Sequence, residues 1–134
     1  VQKRGSVETA YFSVTGTDDE VVPFVNENNW RTNAFFCAWT AYQTMNGMEV
    51  SSRPDFSKDA TFGMALKDRE VISTNKRVTM EAGVLYKGDI PLIKVVAVND
   101  YGHWNFKPDA RLMWDFMKQF SRDPRTKKLV YGKR

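Results

Sequence analysis

The order of apolar and polar positions predicts a chain that alternates strands with helices. Val7-Glu-Thr-Ala-Tyr-Phe-Ser-Val-Thr15 is rich in β-branched and aromatic residues and reads as a strand. Gly16 ends it, and a polar turn, Thr17-Asp-Asp-Glu20, comes next. Val21-Val-Pro-Phe24 is then a short apolar segment in which proline blocks regular pairing. From Asn28 to Met45 the apolar residues recur at helical spacing. Trp30, Ala34, Cys37, Ala38, Ala41 and Met45 share one face, and Phe35, Trp39 and Tyr42 form a second stripe. A helix apolar on two faces is expected to be well buried. Gly47, after Asn46, reads as a left-handed stop.

Pro54, Gly63 and scattered charges interrupt Glu49 to Asn75, so this stretch reads as loops and short pieces without a firm element. Beyond it, Val78–Tyr86 and Pro91–Val98 are predicted strands around a hairpin turn at Lys87-Gly-Asp-Ile90. Ile93-Lys-Val-Val-Ala-Val98 is the most apolar and is expected to be the most buried. Asn99 to Phe106 is a loop. Pro108 then opens a last helix, with Leu112, Met113, Phe116, Met117 and Phe120 on one face and Asp123-Pro124 as its end. These elements make the fold class α/β, with about three strands and flanking helices. No repeat, low-complexity stretch or linker divides residues 1–134, which are taken as a single domain.

Composition changes this picture little. Hydrophobic residues make up 42% of the 134 positions and charged residues 27%, as in ordinary globular domains. No apolar run is long enough to cross a membrane, and no partnership with a membrane is expected. The polar opening Val1-Gln-Lys-Arg-Gly-Ser6 has no signal-peptide character and leads into a strand, as expected of a fragment or a processed product. The net charge of +4 is partly gathered in Arg125, Lys127, Lys128, Lys133 and Arg134. No nucleic-acid motif accompanies that cluster, so it reads as a solvated terminal tail rather than a nucleic-acid contact. The single cysteine, Cys37, excludes an internal disulfide and a multi-cysteine metal site, and it reads as a small buried residue of its helix.

Candidate chemistry concentrates in two loops, each directly after a predicted strand. One is Gly16-Thr-Asp-Asp-Glu-Val-Val-Pro23 and the other Asp100-Tyr-Gly-His-Trp104, which holds the only histidine. In open α/β sheets, catalytic groups gather at the carboxyl ends of the strands. A carboxylate on one loop and a histidine on the other form the acid–base half of a hydrolase triad. The carboxylate accepts the imidazole Nδ1–H, and Nε2 takes the proton of a serine. The chain order, acid before histidine, is that of α/β-hydrolases. Gly-x-Ser-x-Gly occurs nowhere in the chain, so the nucleophile is not in it. The blander readings are a turn formed by Asp18-Asp19, a surface histidine, and Trp104 packed over the last helix.

Gly16-Thr-Asp-Asp-Glu-Val-Val-Pro-Phe24 resembles the acid loop of polyhydroxybutyrate-depolymerase-like and feruloyl-esterase-like α/β-hydrolases. Gly102-His103-x-x-Phe106, with Ala110 to Arg122 behind it, is similar to the terminal histidine loop and helix of that family. Met48 to Lys76 matches none of its motifs. The resemblance implies that this is the C-terminal portion of a doubly wound α/β-hydrolase sheet. It implies Asp19 as catalytic acid, His103 as base and Trp104 as a wall of the substrate pocket. It further implies carboxylic-ester substrates, on plant polysaccharide or a polyester, no metal or organic cofactor, and secretion. The N-terminal half of the enzyme would be a partner, and without it the exposed sheet edge is expected to lead to self-association. Two other readings stay open: a non-catalytic binding or assembly module derived from a hydrolase, and part of a serine peptidase of the same fold.

Overall fold

The computed structural model of the protein describes residues 8–73, 78–102 and 109–132. Its elements in chain order are β1 (Tyr11–Gly16), α1 (Ala34–Met45), β2 (Lys67–Ser73), β3 (Thr79–Lys87), β4 (Ile90–Val98), α2 (Asp109–Met117), β5 (Phe120–Arg122) and β6 (Leu129–Tyr131). The first four strands form one sheet in the order β1-β4-β3-β2, and β5 pairs with β6. β1 runs parallel to β4, with Tyr11 opposite Ile93 and Gly16 opposite Val98. The β4–β3 and β3–β2 pairs are antiparallel. The architecture is therefore α/β with a mixed sheet, one strand richer than expected, and with a small second sheet.

β4 forms where β-branched residues accumulate, with Ile90, Ile93, Val95, Val96 and Val98 in its nine positions. β3 and β4 are joined by Gly88-Asp89, and Gly88 sits at φ 61, as glycine does in tight hairpin turns. β4 is the centre of the core: Ile93, Val95 and Ala97 belong to one buried cluster, and Val96 and Val98 to another. This is the two-sided burial of a strand covered on both faces. α1 covers the first face through Phe36 and Trp39, and the Trp39 indole donates to Ser13 Oγ at 3.0 Å. α2 covers the second, with Leu112 on the Val96 cluster and the Phe116 ring 6.0 Å from that of Phe12.

Several expectations need correcting. α1 begins at Ala34, not Asn28. Asn26 Oδ1 accepts the N–H groups of Asn28 and Asn29, and this local bonding of asparagine competes with helix. The inward face of α1 is Phe36, Trp39 and Gln43, while Cys37, Ala41 and Met45 are exposed. Cys37 is thus a surface thiol, not a buried one. Gln43 and Asn46 are only 2% and 1% exposed, and their amides are hydrogen-bonded through both oxygen and nitrogen. Gln43 exchanges hydrogen bonds with Ser51, and Asn46 with the backbone of Thr9.

The helix of the C-terminal region ends at Met117. Phe120 belongs to β5, where its ring packs between those of Phe116 and Tyr131. Met113 and Met117, expected on the packed face, are largely exposed. Asp123 opens the β5–β6 turn by accepting the N–H groups of Arg125 and Thr126. These bonds hold its carboxyl below the usual carboxylate range, that from Thr126 contributing most. Arg125, Lys127 and Lys128 therefore ride on a hairpin, not a loose tail. Lys133 and Arg134 lie outside the described residues.

The stretch without a firm element supplies both an edge strand and a core layer. β2 is exposed along nearly its whole length, and Phe62 and Met64 are buried against α1 and β4. Arg69 fastens the layer: it pairs with Asp59 at 2.6 Å and Glu81 at 2.7 Å, and its guanidinium lies 5.2 Å over the Phe62 ring.

Asn33 caps α1 and secures the segment leading into it. Its Oδ1 accepts Phe36 N–H at 3.0 Å, and its Nδ2 donates to Pro23 O at 2.7 Å. Asn33→Ala is expected to cost about 1–2 kcal/mol in urea unfolding. Asn33→Asp, which keeps the cap and loses the bond to Pro23, should fall between alanine and the unaltered protein.

Candidate active site

Parallel pairing of β1 with β4 brings their carboxyl ends side by side. The segments after Gly16 and after Val98 therefore leave the sheet as neighbours, and hydrogen bonds hold them together. Thr17 N–H donates to Val98 O at 3.0 Å, Asp18 N–H to Tyr101 O at 3.0 Å, and Asp100 N–H to Thr17 Oγ1 at 2.8 Å. Asn99 is tied to β3, its N–H reaching Thr79 O at 2.9 Å and its Nδ2 the Thr79 hydroxyl at 3.0 Å. Asp100 turns the chain at φ 57, a left-handed conformation that aspartate tolerates better than most residues. A methyl group on Gly16 would lie 2.1 Å from Tyr101 O and 2.7 Å from Gly102 O, so only glycine allows this approach.

Of the two neighbouring acids, Asp19 is turned inward, 8% exposed, and Asp18 faces solvent. Asp19 Oδ1 accepts the N–H groups of Val21 at 2.8 Å and Val22 at 2.9 Å. Bonds from backbone N–H to a carboxylate are charge-assisted, and this pair fixes the plane of the Asp19 carboxyl group. The turn expected of Asp18-Asp19 is real, and Asp19 forms it with its side chain. His103 and Trp104, the other expected site residues, lie outside the described residues. The structure thus joins the acid loop to the segment that leads to His103.

Beside these loops opens a cleft of about 470 Å³. Phe24, Val25, Phe56 and Ala60 give it apolar walls, and Thr17, Thr61 and Asn99 polar ones. Phe56, Ala60 and Thr61 were not anticipated. Their signal was the pattern Asp55-x-Ser57 and Asp59-x-Thr61, in which each aspartate accepts the N–H two residues on. Such turns build a compact loop able to wall a site.

A second groove, about 400 Å³, lies at the opposite end of the sheet between the end of α1 and β3. Gln43, Ser51, Arg53 and Tyr86 are among its lining residues. Its Tyr86 phenol donates to Asp68, and that bond pushes its pKa up to about 12.

Among the described residues, no group of three His, Cys, Asp or Glu side chains is placed to hold a metal ion. No described helix is long and apolar enough to cross a membrane. No family model, curated protein or solved structure matches the chain.

The crowding at Gly16 makes a direct prediction. Gly16→Ala should destabilise the protein by about 1–3 kcal/mol and displace the amide resonances of residues 99–102. Gly132→Ala, where an added methyl group meets nothing within 4 Å, should do neither.

Proposed function

We propose that this chain carries the acid and the base of a serine carboxylic-ester hydrolase, and that the serine comes from outside it. The observation that supports the reading most is the placement of Asp19. It is an inward-facing carboxylate with a fixed plane, at the carboxyl end of a strand whose parallel neighbour leads directly to the only histidine. On this reading the sheet is the C-terminal portion of a doubly wound α/β-hydrolase, as the likeness of the two loops to polyhydroxybutyrate-depolymerase-like and feruloyl-esterase-like enzymes suggests.

Asp19 accepts Nδ1–H of His103 and so presents Nε2 in the form that can accept a proton. Nε2 takes that proton from the serine as it attacks the ester carbonyl, then returns it to the leaving alcohol. Asp19 stays ionised and stabilises the imidazolium between the two transfers. The cleft beside Phe24 and Phe56 is the natural seat for the acyl group, and a substrate-binding role for Trp104 is proposed on the family likeness alone. Esters on plant polysaccharide or a polyester suit a cleft that is apolar on one side and polar on the other. Neither a metal nor an organic cofactor enters this chemistry. Secretion is proposed with the family likeness and on no other ground.

A second reading, an assembly module, draws on the two edges of the sheet. β2 opens Lys67-Asp-Arg-Glu70, and such charges discourage further pairing. β1, at the other edge among the described residues, is uncharged Tyr11-Phe-Ser-Val-Thr-Gly16. An uncharged edge covered on both faces suits another strand, from the other half of a hydrolase or from a second copy.

Two measurements test the proposal. The chain alone should leave a chromogenic ester intact and take up no serine-reactive phosphonate. Turnover blocked by that phosphonate would contradict the absence of a nucleophile. Because the chain has one histidine, its imidazole can be titrated by NMR without ambiguity. Asp19→Asn should lower the pKa of His103 by about one unit, since a nearby carboxylate favours the charged imidazole. Asp18→Asn should leave it nearly unchanged. Equal effects, or a larger one from Asp18, would assign the acid wrongly.

A further inference from the structure

The contact between the acid loop and the segment leading to the histidine has its own chemistry. Resting on the reading of Asp19 and His103 as an acid–base pair, we infer that Thr17 is a positioning residue, its hydroxyl clipping the segment that carries His103 to the loop that carries Asp19.

Thr17 stands between the end of β1 and the acid, two residues from Asp19. Its backbone N–H continues the β1–β4 ladder to Val98 O, so the residue is anchored to the sheet. Its hydroxyl accepts the Asp100 N–H at 2.8 Å, across a sequence separation of 83 residues. Asp100 is the residue held at φ 57, where the chain turns away from the end of β4. The Thr17 hydroxyl therefore fixes the turn that sets the direction of the residues leading to His103.

The neighbouring contacts fix position along the other axes. Asp18 N–H holds Tyr101 O, and Gly16 lets the Tyr101–Gly102 backbone lie against the end of β1. The first is a main-chain bond that a substitution of Asp18 leaves in place, and the second needs only that residue 16 lack a side chain. The Thr17 hydroxyl is the side-chain element of the clip and can be removed by itself.

Its removal should affect geometry more than folding. Asp100 is exposed, so water can take over its N–H when the hydroxyl is absent. Water restores the hydrogen bond without restoring the attachment to the acid loop. A residue that merely supported the fold would show the reverse: a lower melting temperature with an unchanged histidine.

The test uses the full chain and the single imidazole as reporter. Thr17→Val, close in shape and without the hydroxyl, should lower the His103 pKa by about half a unit, in the direction of Asp19→Asn. Thr17→Ser, which keeps the acceptor, should restore the unaltered titration. Thr17→Ala serves the same purpose if valine disturbs packing. An unchanged titration in Thr17→Val and Thr17→Ala, with Asp19→Asn still effective, would overturn the role of Thr17 alone. A titration indifferent to Asp19→Asn would overturn the acid–base pair and this role with it. A loss in Thr17→Val that serine does not restore would also contradict the clip.

Discussion

The parallel pairing of β1 with β4 is the constraint on which the rest of the structure depends. Parallel neighbours end on the same side of a sheet, and they need a crossover connection rather than a tight turn. Here the crossover is long, running through α1, the loop with Phe62 and Met64, and the β2–β3 hairpin. Those elements cover one face of the pair and extend the sheet beyond β4. The consequence for the site is local: Gly16 and Val98 stand opposite each other, and the segments beyond them are close enough to exchange hydrogen bonds. Had β1 paired antiparallel to β4, the acid loop and the histidine segment would have left from opposite ends of the sheet.

The acid loop shows how a short polar sequence acquires a single geometry. Asp19 closes a turn on Val21 and Val22, so the carboxylate is held by backbone that precedes a proline. Asn33 then ties Pro23 to the start of α1. The loop is thus fixed at one end by the β1–β4 ladder and at the other by a helix cap. Such preorganisation is what the orienting role proposed for Asp19 requires, because a misplaced carboxylate would not hold the histidine tautomer that the proposed chemistry needs.

The parts of the fold legible in the sequence are those in which chemistry and burial agree. β3, β4 and the turn at Gly88 arise from two largely apolar runs around a glycine, the second of them rich in valine and isoleucine. β1 was legible as well, although it starts later than the pattern suggests. The rest failed where polar side chains are buried or charged ones form strands. Gln43 and Asn46 lie outside both apolar stripes read from the sequence, yet hydrogen bonds to Ser51 and Thr9 let them face inward, while Cys37, Ala41 and Met45 of the apparent stripe face solvent. Lys67 to Glu70 read as loop because an edge strand is protected by the very charges that hide it. Phe120 kept the helical spacing of α2, and only the pairing of β5 with β6 removes it from the helix. At the candidate site, the turn at Asp18-Asp19 was legible from residue types, whereas the choice between the two acids rested on the family likeness. The clip through Thr17 and Asp100 was not, because it joins residues that only the parallel register brings together.

The proposed chemistry turns on one hydrogen bond, in which Asp19 holds Nδ1–H of His103. It can be observed in a proton spectrum of nitrogen-labelled protein, filtered for the imidazole N–H of the one histidine and recorded where that ring is protonated. A hydrogen bond to a shielded carboxylate predicts a far-downfield Nδ1–H resonance that exchanges slowly with water and disappears in Asp19→Asn. A ring whose N–H protons exchange too fast to be seen, or whose spectrum is the same in Asp19→Asn, would contradict it.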